Sequence, residues 1–405
     1  MTTFNFKVRA VDNKGAFADR DFSMDVRNTA YDKFVMSTAE GYIVTSVDGI
    51  NWQYRAQYLN AGIYYGEVQW GPGFWFATKT NTTYIRSIDG INWTEHSYPT
   101  GYAMFPSSLT ANYHGAPTLM PRPSVGDGKL VMLLEADTST TADMGRYLAY
   151  TTDGLSWTVV SDYPITKSAT LQYRGVSTQA IFANDRWYVN HYAQSGWPLS
   201  DIAMRWIPKD FSADWTNVVR PNGATGFGGG SNIKFINGTF FIWSNSAIYM
   251  MSPDGINWTT YTRPTINSAY YYLPCMLYCN GKLISYPDAY NFNSTLATTG
   301  SWDKVYTSLD GVVWSNTTVP AIPFTHPSLV NYAEIYNGTT SNGRIFGTYY
   351  GGVILFGSRV VNGNAAYGGL LTSTDGINWS RNAIPSVGLT NAVTVTGLAS
   401  MGQNA

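Results

Sequence analysis

The stretch that decides the fold is Ser46-Val47-Asp48-Gly49-Ile50-Asn51-Trp52. The pattern Ser/Thr-x-Asp-Gly-x-x-Trp returns at 87–93, 151–157, 252–258, 308–314 and 373–379, and we call each copy a box. Self-similarity at intervals of roughly 40 to 65 residues is typical of repeat proteins whose units share a core with their neighbours. The boxes therefore predict a repeat fold.

The unit around each box is clearest at residues 66–96, where apolar alternation predicts four short strands at 66–70, 74–79, 83–87 and 91–96. In the other units, pairs of turn residues stand between the first two strands. They are Asp127-Gly128, Asn184-Asp185, Asn237-Gly238, Asn280-Gly281 and Gly351-Gly352. Such pairs favour tight β-hairpins. Each unit is therefore expected to be a four-stranded antiparallel sheet.

The number of units and the way the ring closes follow from two irregular copies. Residues 203–215 keep Trp215 but lack the Ser-x-Asp-Gly turn, and counting them as a degenerate copy gives seven units. No first strand precedes Phe34, whereas residues 392–399 follow the last box without partners of their own. Closure of a ring removes exposed sheet edges. We predict an all-β, seven-bladed β-propeller over residues 31–405, closed by pairing of its N- and C-terminal strands.

Residues 1–30 read as a separate β-hairpin arm. Apolar residues alternate with polar ones around Phe4 and Phe6 and again around Phe22 and Met24, with a turn signal at Asn13-Lys14-Gly15 between them. The residues Phe6 to Arg20 and Phe22 to Val26 resemble the last two strands of cadherin-like or immunoglobulin-like repeats. This resemblance implies an attachment element that pairs with another chain. The alternative is an unattached terminus.

The boxes resemble the Asp-box of the bacterial neuraminidase repeat, Ser-x-Asp-x-Gly-x-x-Trp, although here Gly follows Asp directly. The resemblance spans nearly all of residues 34–400, and it implies a propeller with each box at the turn between strands three and four. A short carboxylate can bond turn amides, Gly accepts positive φ, and Trp can fill the wedge between sheets. We assign this structural role to Asp48, Trp52, Asp89, Trp93, Asp153, Trp157, Asp254, Trp258, Asp310, Trp314, Asp375 and Trp379.

Composition excludes several classes of partner. Charged residues make up 13% of the chain and the formal net charge is −1, so there is no basic field for nucleic acid. No apolar run reaches membrane-spanning length and the N-terminus does not resemble a signal peptide, so neither membrane insertion nor export is expected. The four His are scattered, and Cys275 and Cys279 in one strand lie too far apart to bridge each other. We expect no cofactor and no metal.

Candidate ligand-binding residues lie on the long segments between strands two and three and between successive units, which open on one face. Their aromatic side chains suit a saccharide or a protein epitope by stacking and neutral hydrogen bonds, although tyrosines also pack long loops. The candidates are Tyr102, Tyr113, His114, Tyr192, Trp197, Tyr271, Tyr290, Trp302 and His326.

Catalytic residues are harder to find. The arginine cluster and the early Arg-Ile-Pro signature expected of a sialidase are not evident. Of the five glutamates, Glu135 and Glu334 lie closest to the long segments. A carboxylate pair is judged by its separation in space, which sequence does not give. Glu135 and Glu334 are therefore weak candidates for a propeller-type glycoside hydrolase or lyase acting on surface polysaccharide.

The arm, the neutral propeller and the elaborated face together resemble virion components of tailed bacteriophages. The resemblance implies a non-enzymatic structural or adhesion protein in an oligomeric assembly. Its partners would be other virion subunits, through residues 1–30, and a host-surface glycan. It would be assembled in the host cytoplasm and be extracellular after release. The alternatives are the polysaccharide-acting enzyme and a purely structural scaffold.

Overall fold

The strands in the described part of the chain form seven four- or five-stranded sheets and one separate two-stranded sheet. The computed structural model describes residues 2–11, 17–26, 33–38, 41–58, 67–104, 122–136, 146–162, 179–190, 202–219, 233–243, 248–262, 272–288, 302–322, 345–358, 370–382 and 395–401. Over these residues all regular secondary structure is β. They contain no helix that could cross a membrane. The all-β prediction is confirmed.

The N-terminal sheet is a hairpin of β1 (Thr2–Val11) and β2 (Phe17–Val26). The strands pair antiparallel along their whole length, with Thr2 opposite Val26 and Val11 opposite Phe17. The predicted β-hairpin is confirmed, while its turn at residues 13–15 lies outside the described residues. An exposed ion pair joins Arg9 Nε to Asp19 Oδ1 at 2.7 Å, a contact of the kind that contributes at most about 1 kcal/mol.

The seven larger sheets are the blades of the predicted propeller, and five of them follow chain order, whereas blade 1 also takes a strand from the end of the chain and in blade 3 both β10 and β11 pair with β12. Blades 1 to 3 contain β3 (Phe34–Thr38), β4 (Tyr42–Ser46), β5 (Gln53–Gln57); β6 (Val68–Trp70), β7 (Trp75–Thr78), β8 (Thr83–Ser87), β9 (Thr94–Ser97); and β10 (Tyr102–Ala103), β11 (Ser124–Gly126), β12 (Lys129–Ala136), β13 (Arg146–Thr151), β14 (Thr158–Asp162). Blades 4 and 5 contain β15 (Ala180–Ala183), β16 (Arg186–Asn190), β17 (Ile202–Pro208), β18 (Thr216–Val219); and β19 (Ile233–Ile236), β20 (Thr239–Trp243), β21 (Ile248–Ser252), β22 (Thr259–Thr262). Blades 6 and 7 contain β23 (Tyr272–Cys279), β24 (Lys282–Asp288), β25 (Trp302–Ser308), β26 (Ser315–Ile322); and β27 (Ile345–Tyr350), β28 (Val353–Ser358), β29 (Leu370–Ser373), β30 (Ser380–Asn382).

The ring closes as predicted. The last strand, β31 (Val395–Ser400), pairs antiparallel with β3 and supplies the missing first strand of blade 1, with Ser400 opposite Phe34. Ser400 also ties this strand to blade 7, because its Oγ accepts a hydrogen bond from Thr348 Oγ1 at 2.6 Å and donates one to Tyr349 O at 3.1 Å. The two ends of the propeller are therefore held in one sheet and joined to the next.

The five pairs of turn residues that were identified in the sequence have the backbone conformation expected for tight β-hairpins. Both residues have positive φ in all five, for example Asn237 at 50° and Gly238 at 75°. This left-handed conformation matches the twist of the flanking strands. The hairpin between the first two strands of these blades is thus encoded locally.

Three of the four predicted strands in blade 2 have different bounds in the structure. The first begins at Val68 rather than at residue 66, the second is Trp75–Thr78 rather than 74–79, and the fourth is Thr94–Ser97 rather than 91–96. The fourth strand starts later because Asp89 Oδ1 accepts hydrogen bonds from the amides of Ile91 and Asn92, which holds these residues in the turn.

The hydrophobic core lies between neighbouring blades. Phe76 and Tyr84 of blade 2 pack in one cluster with Met132 and Leu134 of blade 3, and every other pair of neighbours around the ring shares such a cluster. Each blade therefore buries its faces only against its two neighbours, as expected for a repeat ring.

The antiparallel order of the strands gives the disc two different faces. The turns between strands one and two and between strands three and four all open on one side, which we call the box face because it holds the six boxes. The connections between strands two and three and from each blade to the next open on the other side, which we call the loop face. Most long segments of the chain therefore begin and end at the loop face.

Candidate functional site

Most of the residues that the sequence assigns to ligand binding lie outside the described residues. This group comprises Tyr113, His114, Tyr192, Trp197, Tyr271, Tyr290 and His326, together with Glu334. Trp302 is the first residue of β25, opposite Ile322 of β26, and so lies at the loop-face end of blade 6. The binding role of these residues stays a prediction.

Tyr102 was expected on a long loop and instead lies in β10, opposite Ala136 of β12. Its side chain is half-buried, and its ring packs edge-on against Tyr147 with centroids 5.1 Å apart. The adjacent Met104 is fully buried. The segment that holds Tyr102, predicted to be a long loop, thus begins as packed structure, because a strand of only two residues leaves no recognisable pattern in the sequence.

Glu135 lies inside β12, opposite Arg146, rather than on a loop. Its side chain is only 4% exposed. By strand alternation it lies on the side of β12 that carries Leu133, which packs between blades 3 and 4. Arg205, equally buried, shares that side of β17 with Ile207 of the same cluster. No pattern in the sequence indicates that Arg205 is buried, because its burial depends on how two blades meet.

The boxes have a well-defined geometry, seen in blade 1. Ser46 Oγ donates to Asp48 Oδ1 at 2.9 Å and accepts from the amide of Gly49 at 2.8 Å. Asp48 Oδ1 also accepts from the amides of Ile50 and Asn51 at 2.8 and 2.7 Å, and Oδ2 accepts from Asn51 Nδ2 at 2.7 Å. The carboxylate thus satisfies the amides of a turn that has no ladder partners, as the sequence predicts.

These hydrogen bonds favour the ionised carboxylate. Burial acts to raise the pKa of Asp48, but the bonds from Asn51, Ile50 and Ser46 outweigh it and lower this pKa to about 2. In the exposed box of blade 7 the amides of Ile377 and Asn378 likewise lower the pKa of Asp375. A group used for proton transfer near neutral pH would need the opposite shift, so these two carboxylates are not suited to that role.

The box glycines are required for two reasons. Gly255 has φ of +74°, which side chains rarely adopt, and a Cβ there would lie 2.8 Å from the Tyr188 ring of blade 4. Gly311 and Gly376 meet blades 5 and 6 in the same way, with Cβ positions 2.8 Å from Phe241 and 2.4 Å from Ile284. The box glycines therefore lie in close contact with side chains of the preceding blade.

The box tryptophans fill the wedge between sheets to different depths. Trp52, Trp93 and Trp379 are buried, whereas Trp157, Trp258 and Trp314 are half-buried. In blades 1, 2 and 6 the indole donates back to the box glycine carbonyl at 2.9 to 3.1 Å. The predicted packing role fits this placement.

Blade 4 preserves part of the box despite its changed sequence. Asp210 Oδ1 accepts from the amide and hydroxyl of Ser212 at 3.2 and 2.7 Å. Phe211 takes the place of glycine with φ of 59°, and its ring stacks on Tyr150 of blade 3 with centroids 5.1 Å apart. In blade 4 this aromatic contact with blade 3 takes the place of the close contact that the box glycine of other blades makes with the preceding blade.

Metal-binding groups are sparse in the part of the chain that the structure describes. No cluster of three or more His, Cys, Asp or Glu side chains occurs there. Cys279 is buried and free, and burial raises the pKa of its thiol to about 11. Such a thiol is a poor nucleophile at neutral pH.

Comparison with known proteins gives resemblance of architecture only. No family model and no curated protein matches the chain. Among solved structures, YCF48 bound to a D1 peptide aligns with 13% identity over 82% of this chain and 90% of that chain, at a TM-score of 0.44. Apo AztD from Citrobacter koseri aligns with 8% identity over 91% and 97%, at 0.42, and BamB from Moraxella catarrhalis with 8% identity over 84% and 80%, at 0.41. Likeness at this level says nothing about ligand or activity.

Proposed function

We propose that this chain is a non-enzymatic structural and adhesion protein of a tailed-bacteriophage virion. It docks through residues 1–30 and presents the loop face to a host-surface glycan or a neighbouring subunit. The observation that supports the proposal is that the two faces of the disc differ. The boxes form the turns of one face and the long segments open on the other, while the N-terminal hairpin is a separate sheet.

The hairpin supports the docking half of the proposal. Within the described residues β1 and β2 pair only with each other, so each strand has one edge without a ladder partner. A two-stranded sheet is marginally stable alone in water, and an open edge readily accepts a strand from another chain. Strand addition to a virion subunit would stabilise both partners.

The loop face supports the adhesion half. Only 13% of the chain is charged, and the long segments that start and end at the loop face carry the aromatic candidates Tyr113, Tyr192, Trp197, Tyr271 and Tyr290. Aromatic stacking and neutral hydrogen bonds are suited to an uncharged sugar surface. A scaffold of seven interlocked blades would hold such segments in place.

Glycan and host-cell binding tests the adhesion half. We expect the full chain to bind a defined set of glycans, and Tyr113→Ala combined with Trp197→Ala to reduce binding at least tenfold. The matched control is Tyr278→Ala, an exposed tyrosine at the box-face end of β23, which should bind normally. Binding that survives the double replacement, or that never occurs, would remove the adhesion half.

The same glycans distinguish an enzyme from an adhesin. An adhesin leaves the oligosaccharide length unchanged, whereas a glycoside hydrolase or lyase shortens it. Shortening that is abolished by Glu334→Gln would replace our proposal with the enzymatic one. Because Glu135 is buried in β12, Glu135→Gln is informative only in a variant that melts like the parent chain.

A further inference from the structure

The box face exposes an unusual amount of aliphatic surface. Of the ten large apolar side chains that are exposed in the described residues, nine lie in box turns. Five of these directly follow the box glycine and are 39% to 52% exposed, namely Ile50, Leu155, Ile256, Val312 and Ile377. Three of the nine, Leu309, Val312 and Val313, lie in the single turn of blade 6, and exposed apolar residues that are grouped in this way can mark an interaction site.

Turn formation does not explain these aliphatic residues. The turn is built from the Ser hydroxyl, the Asp carboxylate, the glycine and the Trp. In blade 3 the box forms with exposed Thr152 and Ser156 at the positions that blade 6 gives to Leu309 and Val313. Polar residues are therefore tolerated at these two positions, and burial in a contact outside the disc would account for Leu309 and Val313.

Blade 6 carries the strongest feature of this face. Leu309 and Val313 are 77% and 73% exposed and stand on either side of Asp310. Val313 occupies the position at which Asn51 in blade 1 bonds the second carboxylate oxygen. In the described residues no side chain donates to Asp310 Oδ2, so this oxygen is available to a partner's cation.

Charge on the box face indicates which partner fits. The amides of Val313 and Val312 lower the pKa of Asp310, which keeps the carboxylate ionised between the aliphatic residues. Two lysines of this face are already paired, Lys129 with Asp127 and Lys209 with Asp185. A second copy packed face to face would oppose carboxylate to carboxylate, which costs binding free energy. A partner with basic groups complements the face instead.

The arm joins the disc on this same side. The amide of Lys33 donates to Ser46 O in the first box at 2.9 Å, and Lys33 O accepts from the amide of Met401 at 2.8 Å. The propeller therefore begins at the box face.

We propose that the box face is an interaction surface for a protein partner that presents apolar side chains together with lysine or arginine, with the contact centred on the blade 6 turn at residues 309–313. Leu309 and Val313 insert among the partner's apolar side chains, and Asp310 Oδ2 accepts a hydrogen bond from its cation. This surface is distinct from both the hairpin edge and the loop face.

Fluorescence anisotropy with two synthetic peptides tests this proposal on the full chain. One peptide alternates leucine with lysine and the other leucine with glutamate. We expect the Leu/Lys peptide to bind and the Leu/Glu peptide not to bind. Leu309→Ser with Val313→Ser should weaken binding at least tenfold, and Asp310→Asn should weaken it and reduce its dependence on salt. Thr259→Ser with Thr260→Ser, exposed on the outer strand of blade 5, is the matched control and should bind normally.

Three results would overturn the proposal: no binding of the Leu/Lys peptide, equal binding of both peptides, or binding that the blade 6 variants leave unchanged. Sedimentation of the full chain adds a fourth, since dimerisation lost in the Leu309/Val313 variant would identify a second copy as the occupant. Ile377→Ser in blade 7 provides an independent variant if the double replacement lowers the melting temperature. No virion particle is used, so the outcome is separate from that of the proposed virion role.

Discussion

Tyr84 Oη of blade 2 lies between two groups of blade 3, donating a hydrogen bond to Gly154 O at 3.0 Å and accepting one from Trp157 Nε1 at 2.9 Å. In two other blades a tyrosine makes the first of these bonds, with Tyr188 Oη donating to Asp254 O at 3.3 Å and Tyr249 Oη to Gly311 O at 2.5 Å. Each of these tyrosines donates a hydrogen bond to a backbone carbonyl in the box of the following blade. The boxes therefore stabilise the ring as well as their own turns.

Replacing Tyr84 by Phe should destabilise the protein without altering its fold. The change removes the acceptor of Trp157 Nε1 and the donor to Gly154 O, and loss of such partners costs about 1–3 kcal/mol. Chemical denaturation measures the free energy of unfolding. Tyr278→Phe, at an exposed tyrosine, is the control and should change it by less than about 0.5 kcal/mol. Equal stability of the two variants would show that the bond between blades is unimportant.

A matched pair of glycines in blade 5 separates backbone strain from steric contact. Gly238 and Gly255 have nearly equal φ, +75° and +74°, but a Cβ at Gly238 would meet nothing within 4 Å whereas one at Gly255 would meet the Tyr188 ring at 2.8 Å. Gly238→Ala should cost about 1–2 kcal/mol from φ alone. Gly255→Ala should cost a further 1–3 kcal/mol, roughly, from overpacking. If the two variants unfold at the same denaturant concentration, the close approach of blades 4 and 5 is wrong.

Acid should weaken the fold through the box carboxylates. The pKa of Asp48 is about 2 in the folded protein, below the value of about 3.9 in an unfolded chain. Its ionisation therefore stabilises the fold fully above the unfolded pKa, and the contribution is lost as the pH falls through the folded pKa.

The pH effect can be assigned with Asp48→Asn. At pH 7 this variant should be less stable than the parent by about 1 kcal/mol, a figure reduced for solvent screening. The difference should shrink when the free energy of unfolding is measured near pH 2. Asp214→Asn, at an exposed position in the blade 4 turn, should track the parent at both pH values. If the difference in unfolding free energy between Asp48→Asn and the parent grew as the pH fell, the assignment of the pH effect to Asp48 would be wrong.

Ring closure is tested by truncation. A chain ending at Ser386 lacks β31 and leaves β3 of blade 1 without its inner partner. We expect it to melt well below the parent or to aggregate through the freed strand edge. A chain ending at Met401, which keeps β31, is the control. Coincident melting curves for all three chains would show that closure does not stabilise the ring.

Much of the fold was predictable because its determinants are local. The pair Asn237-Gly238 specifies a hairpin by itself, and Asp48 and Gly49 specify a turn within seven residues. Repetition then supplied the number of blades. Closure was also predictable, since the first unit lacked a strand and residues 392–399 followed the last unit.

What the sequence did not reveal depends on contacts between blades or on solvent exposure. The bond from Tyr84 to Gly154 joins residues 70 positions apart, and nothing in the local pattern distinguishes that tyrosine from one that binds a ligand. Glu135 was a catalytic candidate by its nearness to a loop, whereas its burial follows from the packing of blades 3 and 4. The exposed Leu309 and Val313 look unremarkable in sequence, because apolar residues in a strand-rich chain are usually buried.

Quantitative mass spectrometry of purified phage particles tests the central claim most directly, by comparing particles made with the full chain and with a chain that begins at Tyr31. We predict that the full chain is present in a fixed number of copies per particle. The shortened chain should melt like the parent yet be absent from particles. Absence of the full chain from particles, or equal incorporation of the shortened one, would contradict attachment through residues 1–30.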